Sequence, residues 1–204
     1  MFTQIVIAAI SAQAPLVTAN RGTNLEVEAL VLVCHKCLLL QAYCRALVRL
    51  GGVTDGGKWV CNPFHLRGRR GCLIFSLGVN NEISFDVAFQ RATLQACHPY
   101  AFDKVGRKKL TGQHCRYKLS IILGNKFDVI PAAVENTKIC QILVEVHGSA
   151  TDNVRLLQIE MSRNGYYLLS YEINGYSLNL CEYSLIHESC LDAYGAEVLA
   201  KYFS

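Results

Sequence analysis

A glycine turn and a later acidic residue are the features of this sequence whose types and spacing best suit the binding of a ligand. Gly78 follows an apolar run over residues 72–77, which is typical of a strand buried on both faces. Asp103 ends a second apolar run over residues 100–102. A glycine turn after one strand and an acid at the end of the next is an arrangement that binds the ribose of an adenosine-containing molecule. The pattern therefore predicts a ligand site between the two strands, with an ordinary strand–helix–strand corner as the alternative.

The composition of the turn narrows the class of ligand. It holds one glycine, Gly78, followed by the polar residues Asn80, Asn81 and Glu82. Dinucleotide sites use three glycines to bring the backbone close to a pyrophosphate, so the turn argues against NAD and FAD. A ligand with a ribose and no pyrophosphate fits better, and S-adenosylmethionine is the commonest of that kind.

A helix is expected between the two strands. Ser84 is a suitable N-cap, and apolar residues recur at helical spacing from Phe85 to Ala96. The dipeptide His98-Pro99 is expected to end this helix before the second strand.

Several stretches around this turn resemble a known family. The runs over residues 75–79, 82–86 and 101–103 resemble the S-adenosylmethionine motif of the animal methyltransferase-like proteins related to the FkbM type. The resemblance continues at residues 49–52 and 55–61, and returns downstream in two further runs, at residues 141–147 and 181–184.

The resemblance implies a fold. It is an α/β fold with a Rossmann-like class I methyltransferase sheet, which is mainly parallel and ends in a C-terminal antiparallel hairpin. Strands over residues 166–173 and 177–186, joined by the turn Asn174-Gly175, agree with that ending. A helix over residues 151–163, capped by Asn164-Gly165, is expected before the hairpin.

The resemblance also implies a cofactor and the residues that bind it. S-adenosylmethionine is the implied cofactor, with the turn near its methionine moiety and the acid on its ribose hydroxyls. The implied cofactor-binding residues are Gly78, Asn80, Glu82, Ser84 and Asp103. A family loop at the edge of the cofactor cleft consists of Asp55, Gly56, Gly57 and Lys58.

Two residues are candidates for a catalytic base. Glu145 and His147 stand at the end of a strongly predicted strand over residues 139–146, where α/β sheets place their sites. A structural histidine is the alternative for His147. The sequence does not specify the methyl acceptor.

Two departures from the family pattern bear on activity. Residues 104–117 are too few for a strand and two helices, so the sheet is expected to be one strand short beyond Asp103. The strand over residues 118–127 resembles the family's fourth strand in altered form, with Ser120 and Lys126 in place of acids. The alternatives to an active methyltransferase are therefore a catalytically inactive binding or interaction protein of the same fold and an incomplete gene product.

The length of 204 residues predicts a single domain. The resemblance implies that this domain is methyltransferase-like and covers residues 25–204. Its expected parts are a helical segment over residues 25–50, which Gly51-Gly52 stops, and a core over residues 72–195. The net charge of +4 is modest, and neither basic cluster is interleaved with aromatic residues, so there is no strong signal for nucleic acid.

The N-terminus and the cysteines bear on localisation. Residues 1–24 are expected to be flexible or signal-like, although no Lys or Arg precedes Arg21. No run is long enough to span a bilayer. Ten cysteines and the apolar N-terminus leave the secretory pathway and the cytoplasm both open.

The cysteine spacing predicts no metal site. Cys34 and Cys37 form a lone CxxC pair without a second pair to complete a zinc site. Cys72 is expected to act as a small apolar residue in its strand. The sequence leaves disulfide pairing open among Cys61, Cys97, Cys181 and Cys190.

Overall fold

The structure is a computed structural model. It describes residues 4–9, 39–53, 56–77, 82–102, 139–147, 153, 156–173 and 180–201. For residues 4–9, 101, 102, 147, 158, 159 and 180 it describes the backbone alone.

The described residues form ten strands and two short α-helices. The strands are β1 (Gln4–Ala9), β2 (Ala42–Cys44), β3 (Leu47–Leu50), β4 (Lys58–Cys61), β5 (Cys72–Leu77), β6 (Cys97–Phe102), β7 (Gln141–His147), β8 (Tyr166–Ile173), β9 (Leu180–His187) and β10 (Ala196–Val198). The α-helices are α1 (Ser84–Ala92) and α2 (Leu191–Tyr194). Short 3-10 segments cover Pro63–Leu66, Ser162–Asn164 and Glu188–Cys190, and a π-helix covers Leu156–Met161.

One six-stranded mixed sheet organises the fold, in the order β6-β5-β1-β7-β9-β8. Strands β6, β5, β1 and β7 pair in parallel, and β9 pairs antiparallel with both β7 and β8. Two small sheets, β3-β4 and β10-β2, accompany it. The pairing is therefore parallel from β6 to β7 and antiparallel from β7 to β8.

The sheet is covered on both faces. Alternate residues of β5 point to opposite sides, which gives Cys72 and Ile74 to one core and Leu73 and Phe75 to the other. The first core also contains Phe85 and Phe89 of α1, and the second is packed around the π-helix Leu156–Met161. The continuous apolar run of β5 is explained by this burial on two sides.

The central strand comes from a part of the chain for which no strand is expected. Strand β1 (Gln4–Ala9) pairs in parallel with β5 on one side and β7 on the other. The structure therefore differs, over these six residues, from the expectation of a flexible or signal-like N-terminus. Its sequence, QIVIAA, suits a strand with neighbours on both sides. The family pattern assigns this central position to residues 118–127, which lie outside the described residues.

The helix expected over residues 25–50 is wrong at its C-terminal end, and residues 25–38 lie outside the described part. Residues 42–44 and 47–50 are the strands β2 and β3. Strand β3 pairs antiparallel with β4, from Leu47↔Cys61 to Leu50↔Lys58. The apolar residues of this segment are packed by strand pairing and by the Cys44–Cys61 disulfide, which local periodicity does not reveal.

Helix α1 was correctly predicted, with different ends. Its N-cap is Ile83, and Ser84 is its first residue, so Ser84 is not the N-cap. The helix ends at Ala92, and Leu94 and Gln95 follow with φ of 53° and 60°. Strand β6 then begins at Cys97 and includes Pro99, which is tolerated because β6 is at the edge of the described sheet.

The predicted C-terminal hairpin is confirmed. Strand β8 has the predicted bounds, Tyr166–Ile173, and pairs antiparallel with β9 as far as Ile173↔Cys181. The expected turn at Asn174-Gly175 lies outside the described residues. The helix expected before the hairpin is the π-helix Leu156–Met161 continued by Ser162–Asn164, and Gly165 caps it with φ of 80°.

Three disulfides cross-link the described elements. They are Cys44–Cys61, Cys72–Cys97 and Cys140–Cys190, and Cys181 is disulfide-bonded as well. Cys72 is buried in the apolar core, as expected, and it is also disulfide-bonded, because parallel pairing of β5 and β6 places it beside Cys97. No helix in the described part of the chain is both long and apolar enough to cross a membrane.

Candidate functional site

The strand directions bring several polar side chains to one edge of the sheet. Parallel strands end at the same edge, and β8 runs in the same direction as β7 because both are antiparallel to β9. Glu82 follows β5, Glu145 is near the end of β7, and Glu172 is near the end of β8. We call this side of the sheet the carboxyl edge. Ligands of open α/β sheets bind at such edges.

A row of three glutamates crosses the antiparallel part of the carboxyl edge. Glu145 on β7 is directly opposite Glu182 on β9, which is directly opposite Glu172 on β8. Directly opposite residues share a face of the sheet and have Cβ atoms about 4.5–5.5 Å apart. Glu145 and Glu182 are buried. Such a row concentrates negative charge in a poorly hydrated place, so cations are needed beside it.

Lys58 supplies one of these cations. Its Nζ is 2.8 Å from Oε2 of Glu182, and both side chains are buried. Burial raises the pKa of Glu182 above its ordinary value, and Glu145 and Glu172 also raise it, whereas Lys58 lowers it. The ion pair therefore favours the ionised form of Glu182 against the effect of burial.

Strand β4 is held across this face of the sheet by hydrogen bonds. The Gln141 side chain accepts from the Cys61 N–H and donates to the Cys61 carbonyl, each at 2.9 Å. The Ser184 hydroxyl donates to the Trp59 carbonyl at 2.8 Å. These contacts fix the position of Lys58, which begins β4, over the glutamate row.

Arg49 and Trp59 hold the outermost glutamate. Arg49 Nε is 3.2 Å from Oε2 of Glu172, and Trp59 Nε1 donates to the same oxygen at 3.0 Å. The side chains of Arg49 and Glu172 are 17% and 36% exposed. Arg49 also donates from Nη1 to the carbonyl of Gly52. The guanidinium therefore connects strand β8 to the glycines that follow β3.

Those glycines are packed against the start of α1. We call Gly51, Gly52, Gly56 and Gly57 the glycine strap. A Cβ on Gly56 would be 2.5 Å from Cγ of Glu82, and Gly56 has a φ of +81°. A Cβ on Gly57 would overlap the Gly52 carbonyl and Nη1 of Arg49. These positions need glycine because other groups occupy the space of a side chain.

A short chain of hydrogen bonds ties the strap to α1. The Gly52 N–H donates to Oγ of Ser84 at 2.8 Å. The Ser84 N–H donates to Oε1 of Glu82 at 2.6 Å. Hydrogen bonds from the Ser84 side chain and backbone lower the pKa of Glu82, and its partial burial opposes them. Glu82 therefore carries a negative charge at neutral pH.

A buried pair connects β5 to α1. The Ser76 hydroxyl donates to Oδ1 of Asp86 at 2.6 Å, and both residues are buried. Among the described residues Oδ2 of Asp86 has no hydrogen-bond partner. Burial raises the pKa of Asp86, and the bond from Ser76 only partly offsets this. The pair joins the elements on either side of the turn predicted to bind the cofactor.

The structure brings some of the sequence-predicted site residues together. Glu82 and Ser84 meet Gly56 and Gly57 at the start of α1. Lys58 is instead buried beside the glutamate row, in contact with Glu182, and Glu145 belongs to that row. His147 ends β7, and its side chain is not described. The predicted residues outside the described part are Asp55, Gly78, Asn80 and Asp103.

Sequence reasoning missed six other residues that make the polar contacts of this region. They are Arg49, Trp59, Ser76, Asp86, Glu172 and Glu182. A signal for the glutamates exists, because Glu182 and Glu172 are acids inside predicted strands, where charged residues are depleted. Their alignment with Glu145 depends on strand register, which the sequence did not specify. In the described part, no three His, Cys, Asp or Glu side chains are grouped so as to hold a metal ion.

A family model described as a methyltransferase domain matches residues 36–128. The match spans the stretch from β2 to β6, and thus includes Arg49, the glycine strap, Glu82 and Ser84; the glutamates of β7, β8 and β9 are beyond it. No curated protein and no solved structure matches the chain. The resemblance read from the sequence is therefore confirmed: residues 36–128 match a divergent methyltransferase domain family.

Proposed function

We propose that this protein is an S-adenosylmethionine-dependent methyltransferase. The observation that carries the proposal is the strand order β6-β5-β1-β7-β9-β8 around a segment that matches a methyltransferase domain. The class I methyltransferase order is 3-2-1-4-5-7-6. The described sheet has the same strand positions and directions with the first edge strand left out, except that β1, from the N-terminal part of the chain, takes the place of the fourth strand. This supports a Rossmann-like sheet shortened by one strand beyond β6.

In this proposal the cofactor lies beside the start of α1. Gly78, Asn80, Glu82 and Ser84 hold its methionine part, and Asp103 accepts hydrogen bonds from both ribose hydroxyls. The ionised Glu82 fits a ligand that carries a sulfonium and an ammonium group, because both are cationic. When bound, the cofactor supplies a methyl group activated by the positive sulfur.

The residues that handle the acceptor's proton are proposed to be on β7. Glu145 is in the glutamate row of the carboxyl edge, and His147 ends the same strand. Either side chain has the chemistry to take a proton from a nucleophile held in line with the methyl group. The chemical class of the acceptor is not part of the proposal.

A non-catalytic binding protein of the same fold is the second candidate. The observation that favours it is the presence of Ser120 and Lys126 where the family pattern has acids. Such a protein would keep ligand binding and lose transfer. An incomplete gene product is the remaining alternative, and full-length transcript sequencing across the codons for residues 103–118 separates it from true divergence.

We also propose that the protein matures in the secretory pathway. Three disulfides in the described part are compatible with an oxidising compartment, because disulfides are rare in reducing cytosol. This environment would keep the cross-links of β4, β5 and β6 formed.

Calorimetry with S-adenosylhomocysteine tests the cofactor. We expect the wild type to bind, and Asp103→Ala to bind about tenfold to ten-thousandfold more weakly, because up to two charge-assisted hydrogen bonds are lost. Asp192→Ala, at an exposed acid on α2, is the matched control and should bind like the wild type. A folded wild type that does not bind would contradict the proposal, and so would binding unaffected by Asp103→Ala.

A further inference from the structure

The contacts of Arg49 connect the two halves of the sheet through the glycine strap. At one end Arg49 is paired with Glu172 of β8, which also accepts a hydrogen bond from Trp59. At the other end the strap is bonded to Ser84 and packed against Glu82, at the start of α1. The strap is therefore held between the last strand of the sheet and the helix that follows β5.

The strap needs such anchoring because of its composition. Glycine has more backbone freedom than any other residue, so a glycine-rich segment has many conformations of similar energy. The guanidinium of Arg49 is a rigid planar fork, and Glu172 presents two oxygens to it, at 3.2 Å from Nε and 3.5 Å from Nη2. This two-point contact fixes the orientation of the guanidinium that donates to the Gly52 carbonyl.

We propose that Glu172 is a positioning residue for the cofactor site. Acting through Arg49, it fixes the glycine strap against Glu82 and Ser84 before a ligand arrives. A site ordered in advance loses less conformational freedom on binding and so binds more tightly. The inference rests on the proposed function, since it assigns the ligand beside α1 to the S-adenosylmethionine class.

The experiment compares Glu172→Gln with the wild type in two measurements. Glutamine keeps the shape of the side chain but removes its charge, so the contact with Arg49 weakens. We expect the Kd for S-adenosylhomocysteine to rise about tenfold or more, as the loss of a charge-assisted hydrogen bond implies. We also expect the backbone N–H of Gly52 to exchange with solvent faster, because this readout follows the strap without any ligand.

Matched variants distinguish a positioning role of Glu172 from a general effect of the substitution on stability. Glu197→Gln removes the charge from another Arg–Glu pair, the exposed Arg45–Glu197 contact at 2.7 Å, and should change neither measurement. Arg49→Gln combined with Glu172→Gln should bind no more weakly than the weaker single variant, because both act through one contact. All variants are compared at a temperature at which circular dichroism shows them fully folded.

A second variant covers the case in which Glu172→Gln does not fold. Trp59→Phe removes the Nε1–H that donates to Glu172, together with part of the indole ring system, and keeps an aromatic ring in place. We expect this variant to bind S-adenosylhomocysteine a few-fold more weakly, in the direction that the loss of a neutral hydrogen bond implies.

The outcomes distinguish the two proposals. If the wild type binds S-adenosylhomocysteine and the folded variants bind it equally well, the positioning role of Glu172 is refuted while the proposed function stands. If the folded wild type does not bind, the proposed function fails and this inference fails with it. Weaker binding together with faster exchange at Gly52, absent from the control, supports both.

Discussion

At the scale of single residues, the carboxyl edge depends on charges that are buried together. Lys58 is 2% exposed and touches Glu182, which has Glu145 and Glu172 on either side. A buried ion pair contributes little compared with two apolar residues, but removing one partner leaves a charge without compensation. The consequences of changing one partner and of changing both should therefore differ.

We expect Lys58→Met to lower the free energy of unfolding by about 3–5 kcal/mol. The double variant Lys58→Met/Glu182→Met should recover most of that loss, because it also removes the uncompensated carboxylate. Urea unfolding measures both. Arg45→Met at the exposed Arg45–Glu197 pair is the control and should cost about 0–1 kcal/mol. Equal losses in the single and double variants would contradict the role given to this pair.

Asp86 gives a prediction about pH. Its pKa in the folded protein is raised above 3.8, so folding favours the protonated form. Stability from this residue is fully present below pH 3.8 and is lost as the pH rises through the raised folded pKa. Asp86→Asn keeps an oxygen for Ser76 and does not ionise, so its unfolding free energy should not fall in that window.

The test compares urea unfolding of the wild type and Asp86→Asn from pH 3 upwards. The stability of the variant relative to the wild type should increase with pH across the window. Asp192→Asn serves as the control for the same change of residue type at an exposed position. A difference between Asp86→Asn and the wild type that is the same at every pH would exclude the titration of Asp86 as its cause.

At the scale of elements, β1 is a central strand of the described sheet, with β5 on one side and β7 on the other. Ile7 of β1 is opposite Phe75 on one side and Ile142 on the other. A proline in a central strand loses a ladder hydrogen bond, whereas the natural Pro99 is on the edge strand β6. We expect Ile7→Pro to lower the unfolding free energy by at least about 1–3 kcal/mol, because the carbonyl that loses its N–H partner is left unsatisfied.

Ile7→Ala separates the backbone effect from loss of the side chain. It keeps the N–H and removes most of the apolar group, so it should be the milder of the two changes in thermal or urea unfolding. A cost for Ile7→Pro no greater than that for Ile7→Ala would mean that β1 is not in the middle of the sheet.

The elements that could be predicted are those with local signals. The hairpin β8-β9 has strand-like runs on either side of Asn174-Gly175, and α1 has apolar residues at helical spacing. Strands β1, β2 and β3 have partners far away in the sequence or within small sheets, so their apolar runs were read as a leader or a helix. Local periodicity does not distinguish a short buried strand from part of a helix.

In the candidate site too, residues with a local sequence signal could be predicted, and contacts between distant residues could not. Glu82 and Ser84 could be predicted because they directly follow an obvious strand. The contacts of Arg49 with Glu172, and of Lys58 with Glu182, join residues more than a hundred positions apart. Such pairs follow from the register of β7, β8 and β9 and from the way β4 crosses them, and no local pattern encodes that register.

At the scale of the whole molecule, each disulfide with two described cysteines connects two different elements of the fold. Cys72–Cys97 joins β5 to β6, and Cys140–Cys190 joins the start of β7 to the segment before α2. Each native disulfide typically contributes about 2–4 kcal/mol, and the total stability of a domain is about 5–15 kcal/mol. Losing all of them would therefore remove most of the stability.

We expect a reducing agent to shift the urea midpoint strongly downward or to unfold the protein without urea. Circular dichroism measured with and without the reductant gives the result. Removing one pair, as in Cys72→Ala/Cys97→Ala, should lower the unfolding free energy by about 3 kcal/mol and serves as the graded comparison. An unchanged midpoint after complete reduction, verified by mass spectrometry, would contradict this structural role.

The position of β1 has a consequence for how the protein is made. Residues 4–9 are synthesised before their partners, because β1 pairs with residues 72–77 and 141–144. Until its partner strands are synthesised, the backbone N–H and C=O groups on both sides of this apolar segment have no strand partner. Such a segment can associate with other chains. Contacts so distant in sequence also slow folding, because a long loop must close before they form. We therefore expect molecular chaperones, which bind exposed apolar segments, to bind this strand until its partner strands have been synthesised.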